Sequence, residues 1–356
     1  MNGVPPYNSP YQNGYWQNQV PGGYPPVQIP YWETQQWKDK KKIRHISNVM
    51  GWANFAVQAL MTALMLGCQW VLFYVIGYPI RTDLLVSGGM SSTMYYFLVS
   101  TVYIIAVALP FVLCVVFMKI SVNEAFPFQR VRVGWGILWI LFGVGFCMLT
   151  NIPANIIAIL IESMGFSGTL PESVMPNTTL ALILNIIEIA VIPPLVEELA
   201  FRGVILSQLR KFGNGFAVFG SALLFAFYHG NFLQFTFTFF VGLVLGFIMI
   251  RTNNLWIPII IHALNNGISL LFSLVADQIS EQAYEVLNVG LFYGLMVVGL
   301  IAFVILLLKK RECFQRHFQP GLLSFSSRLG AFITNPGFIA FFALFLLTAI
   351  VSLQTW

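Results

Sequence analysis

The sequence predicts an all-α fold: a polytopic transmembrane bundle of about eight to nine helices, with the N-terminus in the cytoplasm. Of the 356 residues, 58% are hydrophobic and 9% are charged, and the mean hydropathy is +0.78. A soluble domain carries about 25% charged residues. Several apolar stretches reach the roughly 20 helical residues that a bilayer crossing requires. Lipid is therefore the expected solvent of most of the surface.

The chain divides into four predicted regions. Residues 1–46 are expected to form a disordered, Pro/Tyr/Gly-rich cytoplasmic tail, because many prolines interrupt any helix. N-terminal membrane helices follow over 47–177, a core with polar residues inside its spans over 178–275, and C-terminal membrane helices over 276–356. The predicted spans cover residues 49–77, 94–118, 133–155, 178–206, 214–229, 233–250, 255–275, 286–308 and 335–353.

The distribution of Lys and Arg sets the orientation. With the N-terminus inside, almost every basic residue lies in a cytoplasmic segment, while Arg81 falls outside and Arg202 within a span. Such a bias is the topology signal of membrane proteins. The net charge of +5 is explained by these clusters. Membrane lipids are therefore expected partners, and nucleic acid is not.

A break in the apolar stretch 214–250 predicts a helical hairpin. The stretch is too short for two full spans, and the sequence Tyr228-His229-Gly230-Asn231 interrupts it. Non-helical backbone at membrane depth is tolerated only where it is buried in protein or lines a wet cavity. We therefore expect a turn at His229–Gly230 that forms part of a site.

Ionisable residues inside spans are rare and usually functional, and the fourth span carries three of them close together. Glu198 and Arg202 are spaced i,i+4 with the acid first, which favours an ion pair on one helix face. Glu197 is rotated by about 100° from Glu198 and has no such local partner. The spacing predicts a structural Glu198–Arg202 pair and a reactive Glu197 carboxylate.

Two further pairs of residues have the i,i+4 spacing, Phe225 with His229 and His262 with Asn266. Helix arithmetic at 1.5 Å per residue places Glu197, His229 and His262 roughly 17 to 21 Å from the cytoplasmic ends of their segments. This common depth predicts one site. Asn265 lies off the face of His262. Glu188 is interpreted as a residue that forms an interhelical hydrogen bond, and Tyr228 as a packing or lipid-facing residue.

The three motifs, in this order, resemble those of the CAAX proteases and bacteriocin-processing enzymes. That family has the pattern EExxxR, FxxxH and HxxxN, and it consists of intramembrane endopeptidases with the type II CAAX prenyl protease fold. The present sequence reads Glu197-Glu198-x-x-x-Arg202, Phe225-x-x-x-His229 and His262-x-x-x-Asn266. The resemblance covers about 178–275.

The resemblance implies roles for these residues. Glu197 and His229 would activate a water for attack on a peptide bond, and His262 and Asn266 would stabilise the oxyanion. Glu198, Arg202 and Phe225 would support the site, and the cavity would open towards the cytoplasm. The substrate would be a peptide or a lipidated protein. The composition suggests a bacterial plasma membrane protein.

The metal requirement stays open at this point. The family is described as metalloproteases, and a Glu197, His229 and His262 set could hold Zn²⁺ with an open fourth position. The sequence has no HExxH motif.

Two other functions are compatible with buried Glu and His residues. A proton- or ion-coupled transporter would use them as a relay, but the internal repeats typical of transporters are not found in the sequence. A non-catalytic scaffold or a bacteriocin self-immunity protein is the other alternative.

Overall fold

The computed structural model describes residues 31–74, 77, 90–168, 175–276, 278–310 and 323–355. This part of the chain is helical except for one antiparallel pair of short strands, β1 (Phe166–Gly168) and β2 (Leu353–Thr355). The all-α class is confirmed. The α-helices are α1 (Tyr31–Tyr74), α2 (Ser92–Phe117), α3 (Val122–Ala125), α4 (Val133–Leu149), α5 (Asn151–Ser163), α6 (Thr179–Ile186), α7 (Ile192–Glu198), α8 (Leu206–Arg210), α9 (Asn214–Tyr228), α10 (Phe232–Thr252), α11 (Trp256–Val275), α12 (Glu281–Lys309), α13 (Phe325–Ile333) and α14 (Pro336–Val351).

Within the described residues, seven helical segments are long and apolar enough to cross a membrane. Helices α13 and α14 form an eighth if they count as one span, although they are bent by 74°. The predicted bundle is therefore confirmed, with two differences in detail. The predicted span 214–229 is the short helix α9, and 335–353 is the second half of the bent pair. The N-terminal orientation stays a prediction.

Helix α1 begins earlier than the sequence predicted. It has 44 residues and already includes the basic cluster that was assigned to the tail. The buried side chains of Ile43, Met50 and Val57 lie seven residues apart and are at most 1% exposed, so they form one helical face against the bundle. Residues 31–46, which the sequence assigned to the disordered tail, are therefore helical. Residues 1–30 lie outside the described part of the chain, and the division into four regions stays a prediction.

The segment Thr179–Arg210 is a helix with two wide turns. Residues Ile187–Val191 and Leu199–Ile205 are π-helical, and α7 lies between them. Pro193 and Pro194 stand in the first turn of α7, where they lack the N–H that a regular helix needs. Pi-helical turns often mark functional sites. The two turns here flank the helix that carries Glu197 and Glu198.

The hairpin predicted at His229–Gly230 is confirmed. Helix α9 ends at Tyr228, and Gly230 has φ +68°, a left-handed conformation that glycine adopts without strain. Asn231 then caps α10 by accepting a hydrogen bond from the backbone N–H of Gln234 at 2.7 Å.

Glycines allow two helices to approach closely at the crossing of α4 and α12. A β-carbon added at Gly299 would lie 2.6 Å from Cα of Gly145, which no side chain could tolerate without a shift of one helix. Small residues serve the same purpose at many membrane helix interfaces. Gly294, one and a half turns earlier on α12, has open space instead.

We expect Gly299→Val to destabilise the protein and Gly294→Val to leave it near wild type. Overpacking costs about 1–3 kcal/mol, and here the obstacle is backbone. Thermal unfolding of both variants in detergent, followed by tryptophan fluorescence, measures the difference. Equal unfolding midpoints would contradict this close approach.

Candidate active site

The buried carboxylate of Glu198 connects the first predicted motif, EExxxR, with the third, HxxxN. Oε1 of Glu198 accepts a hydrogen bond from Nη1 of Arg202 at 2.8 Å and lies 2.9 Å from Nδ1 of His262. The side chains of Glu198 and Arg202 are completely buried. The predicted i,i+4 ion pair is confirmed, and the structure adds His262 from α11 as a third member.

Arg202 explains the position of the phenylalanine in the second motif. Its guanidinium carbon lies 4.4 Å from the ring centroid of Phe225, a cation–π distance. Nη2 donates to the carbonyl oxygen of Gly242 at 3.4 Å. The ring of Phe225 also contacts the imidazoles of His229 and His262 edge to face, at 4.8 and 5.9 Å between centroids. Phe225 therefore packs between the buried cation and both histidines.

The second carboxylate has different surroundings. Oε1 of Glu197 accepts a hydrogen bond from the hydroxyl of Tyr103 on α2. That hydroxyl accepts in turn from the hydroxyl of Tyr228 at 2.9 Å. Oε2 of Glu197 lies 3.8 Å from Nε2 of His262 and is buried without a hydrogen-bond partner. One oxygen is thus held in place, and the other is left to accept a proton or a hydrogen bond from a ligand.

The hydrogen bonds of the two histidines assign which ring nitrogen carries the proton. Nδ1 of His229 lies 2.8 Å from the carbonyl oxygen of Phe225, which can only accept. Nδ1 of His262 faces the Glu198 carboxylate, so it donates as well. Both neutral rings therefore carry the proton on Nδ1 and present Nε2 as an acceptor.

The last motif residue is partly engaged by the backbone. Nδ2 of Asn266 donates to the carbonyl oxygen of Ile189 at 3.1 Å, within the first π-helical turn. An Asn amide has two hydrogens, so one is left for another acceptor. Nδ2 of Asn265 lies 3.5 Å from Oδ1 of Asn266, and Asn265 is itself buried.

A cavity of about 670 Å³ collects five of the predicted site residues. They are Glu197, Phe225, His229, His262 and Asn266. Glu198 and Arg202 lie behind this lining. The structure therefore brings the predicted residues of three separate helical segments to one place and divides them into cavity-lining and supporting groups.

The cavity extends away from the basic ends of the helices. Beyond the carboxylates its lining reaches Met175 and Pro176, just before α6, and Leu274 near the end of α11. The described residues at that end of the bundle, 90–93, 163–168, 175–179, 272–276 and 278–284, contain no Lys or Arg. With the predicted N-inside orientation this would be the outer end, whereas the resemblance implies a cavity that opens towards the cytoplasm. Both the orientation and the side of the opening stay predictions.

The predicted metal ligands do not form a ligand set as placed. Among the described residues, no group of three His, Cys, Asp or Glu side chains is arranged to hold a metal ion. Glu197, His229 and His262 share the cavity without meeting at one point. The zinc site stays a prediction.

Two tyrosines were missed or misinterpreted. Tyr103 belongs to no motif and lies outside 178–275, and Tyr228 was interpreted as packing. A signal for Tyr103 was present, because it lies roughly 21 Å from the cytoplasmic end of α2 at 1.5 Å per residue. That is the depth of Glu197 and the histidines.

Comparisons with known proteins cover the segment that carries the three motifs. Residues 179–268 match the family model described as type II CAAX prenyl endopeptidase Rce1-like. The chain is 30% identical over 163 residues to the membrane-embedded CAAX protease MroQ of Staphylococcus aureus (strain USA300), covering 42% of this chain and 63% of MroQ. It is 24% identical over 160 residues to a Bacillus subtilis (strain 168) protein named "Putative membrane peptidase YdiL", covering 44% and 65%. The chain thus spans just under two thirds of the length of these relatives. No solved structure matches the chain significantly.

Fold and relatives together define a multi-pass integral membrane protein of a bacterial membrane. The resemblance predicted from the three motifs is confirmed over residues 179–268, where the chain is similar to the Rce1-like CAAX prenyl endopeptidases.

Cysteine labelling tests which side of the membrane the cavity faces. Ser273 lines the outer part of the cavity and is exposed, whereas Ser121 is exposed at the basic end, after α2. In a variant without native cysteines, we expect a membrane-impermeant maleimide to label Ser273→Cys in intact cells. Ser121→Cys should be labelled only after permeabilisation. The reverse pattern would place the cavity mouth in the cytoplasm.

Proposed function

We propose that this protein is an intramembrane endopeptidase that hydrolyses peptide bonds with a water activated by Glu197 and His229. The observation that carries the proposal is the unpartnered Oε2 of Glu197 beside two imidazoles that present Nε2, all on one cavity. A carboxylate oxygen that accepts no hydrogen bond is the group that a general base requires.

The proposed reaction begins with a water bound near Oε2 of Glu197 and Nε2 of His229. Glu197 takes a proton from the water as its oxygen attacks the scissile carbonyl carbon. The remaining amide hydrogen of Asn266 donates to the resulting oxyanion. His262 donates to it from Nε2 when the ring has taken up a second proton from water in the cavity, and it returns that proton to water after the reaction. Glu197 then returns the proton to the leaving amine, and the carbon–nitrogen bond breaks.

Glu198 and Arg202 act in this proposal through His262. The Glu198 carboxylate holds Nδ1–H of His262 and thereby fixes the ring orientation and the tautomer, as second partners of catalytic histidines generally do. Arg202 neutralises the carboxylate that would otherwise be an unpaired buried charge. Tyr103 is also a positioning residue, because its hydroxyl donates a hydrogen bond to Oε1 of Glu197.

The substrates proposed from the family are peptides, peptide precursors or lipidated proteins at the membrane. The name of MroQ describes a CAAX protease, and that of YdiL a membrane peptidase. Zinc bound by Glu197, His229 and His262 stays a separate proposal, which metal analysis of the purified protein and assays with a chelator address.

We expect Glu197→Gln to lower kcat/KM for peptide cleavage by about 10²–10⁴, the range of general acid–base catalysis. Glutamine keeps the size of the side chain but accepts no proton. Cleavage is measured in detergent by mass spectrometry on a mixed library of prenylated and unmodified peptides.

Glu188→Gln is the matched control for this experiment. Glu188 lies on the same helical segment but does not line the cavity, so its substitution should leave the rate near wild type. Equal rates for wild type and Glu197→Gln would refute the role of Glu197. They would leave transport or a scaffold role as the alternatives.

We expect Tyr103→Phe to lower kcat about tenfold while KM changes little. The variant keeps the ring and removes only the hydroxyl that holds Glu197, and losing one oriented hydrogen bond costs roughly 1–1.5 kcal/mol. Steady-state kinetics on a cleaved peptide separate the two constants. A change confined to KM would contradict the positioning role.

A further inference from the structure

The cavity has an unusual lining for the interior of a membrane bundle. Six carboxamides line it besides Asn266, and they are Asn151, Asn155, Asn185, Gln234, Asn265 and Asn288. Small-molecule pockets are lined mainly by apolar side chains with few polar groups. Polar residues inside membrane proteins are costly and usually mark ligand pathways. This set therefore requires a ligand with many hydrogen-bonding groups.

Asn185 gives the clearest indication. The residue is only 3% exposed, its carboxamide forms no hydrogen bond within the described part of the chain, and its polar atoms are accessible from the cavity. The large majority of buried polar side chains have a hydrogen-bond partner. Because Asn185 lines the cavity, its partner would have to come from whatever fills the cavity. Asn265, which is 8% exposed, adds a second buried carboxamide to the same wall.

The charge of the lining narrows the ligand class. Glu197 is the one carboxylate on the described lining, and no Lys or Arg is part of it. The cavity therefore lacks the cationic groups that would hold a phosphate and the acidic ring that would hold a cation. An isoprenyl chain could contact the apolar part of the lining, such as Phe237 and Phe292, but it offers no donor or acceptor and would leave Asn185 unpaired.

A peptide main chain fits both the chemistry and the length. A carboxamide has one acceptor oxygen and two donor hydrogens, so it can pair with either half of a peptide group. Along α11 the lining runs from His262 to Ser273, roughly 16 Å at 1.5 Å per residue. An extended chain advances about 3.3 Å per residue, so this length holds about five residues.

We propose that the carboxamide-lined cavity binds the unmodified main chain of an extended peptide of about five residues, with Asn185 and Asn265 as hydrogen-bonding partners. This inference rests on the proposed function and specifies the substrate class of the same site. The peptide enters from the mouth near Leu274, and its scissile bond reaches Glu197. Specificity then comes from hydrogen bonds to the main chain of the peptide, and an isoprenyl group on the peptide is not needed for binding.

Binding to the full-length Glu197→Gln protein in detergent tests the inference without turnover. The probes are a fluorescent set of unmodified decapeptides and the same peptides with a farnesylated cysteine. We expect saturable binding of unmodified peptides that farnesylation does not improve. Asn185→Leu, which keeps the shape but forms no hydrogen bond, should weaken binding at least tenfold. N-methylation of main-chain amides in the best peptide should weaken it similarly.

Asn214→Leu is the matched control, because Asn214 is an exposed carboxamide at the opposite end of the bundle. It should bind peptides like the parent protein. If Asn185→Leu does not fold, the N-methylated peptides decide the question on the unaltered cavity. Binding that requires farnesyl, binding unaffected by N-methylation, or no saturable binding would each overturn the inference.

Cleavage by the protein with Glu197 intact separates this inference from the proposed function. Peptide binding that depends on Asn185 without any cleavage would support the binding site and contradict the peptidase. Glu197-dependent cleavage at the same kcat/KM in wild type and Asn185→Leu would support the peptidase and overturn the binding site.

Discussion

One carboxylate oxygen, Oε1 of Glu198, organises the interior of this protein. It contacts Arg202 of its own helical segment and His262 of α11. In a low-dielectric interior an unpaired charge is costly, and breaking a buried pair by removing one partner typically costs about 3–5 kcal/mol. Helix α11 is therefore fixed against the segment Thr179–Arg210. Phe225 extends the same arrangement to α9, since its ring covers the Arg202 guanidinium.

The irregular parts of the backbone lie around this cluster. Two π-helical turns flank α7, and the turn between α9 and α10 places His229 beside Phe225. Regular helices satisfy their own backbone groups, so irregular backbone inside a membrane must find partners in protein or water. Asn266 supplies one such partner to the carbonyl of Ile189. The irregularities thus occur where polar side chains can compensate for them, which is also where a reaction with water becomes feasible.

The bundle has two chemically different ends. At the end with the basic clusters, side chains pack around Leu209, Phe216 and Phe332, and a smaller cavity of about 230 Å³ reaches Arg202. The other end opens into a cavity whose walls are polar but nearly uncharged. Under the proposed function, a peptide would enter this environment with its hydrogen bonds satisfied, and the water for hydrolysis would enter with it. The depth of Glu197 follows from the same asymmetry, because it lies at the bottom of the open half.

The sequence by itself determined the features that depend on local helix geometry. Spacing of i,i+4 fixes which side chains share a face, so the Glu198–Arg202 pair, the hairpin at His229–Gly230 and the motif residues could all be predicted. Contacts between helices depend on packing instead. Tyr103 lies 94 residues from Glu197 and in no motif, and nothing local marked Asn185 as a wall of the cavity. The early start of α1 and the direction of the cavity were likewise decided by tertiary structure, because both result from which faces of distant helices meet.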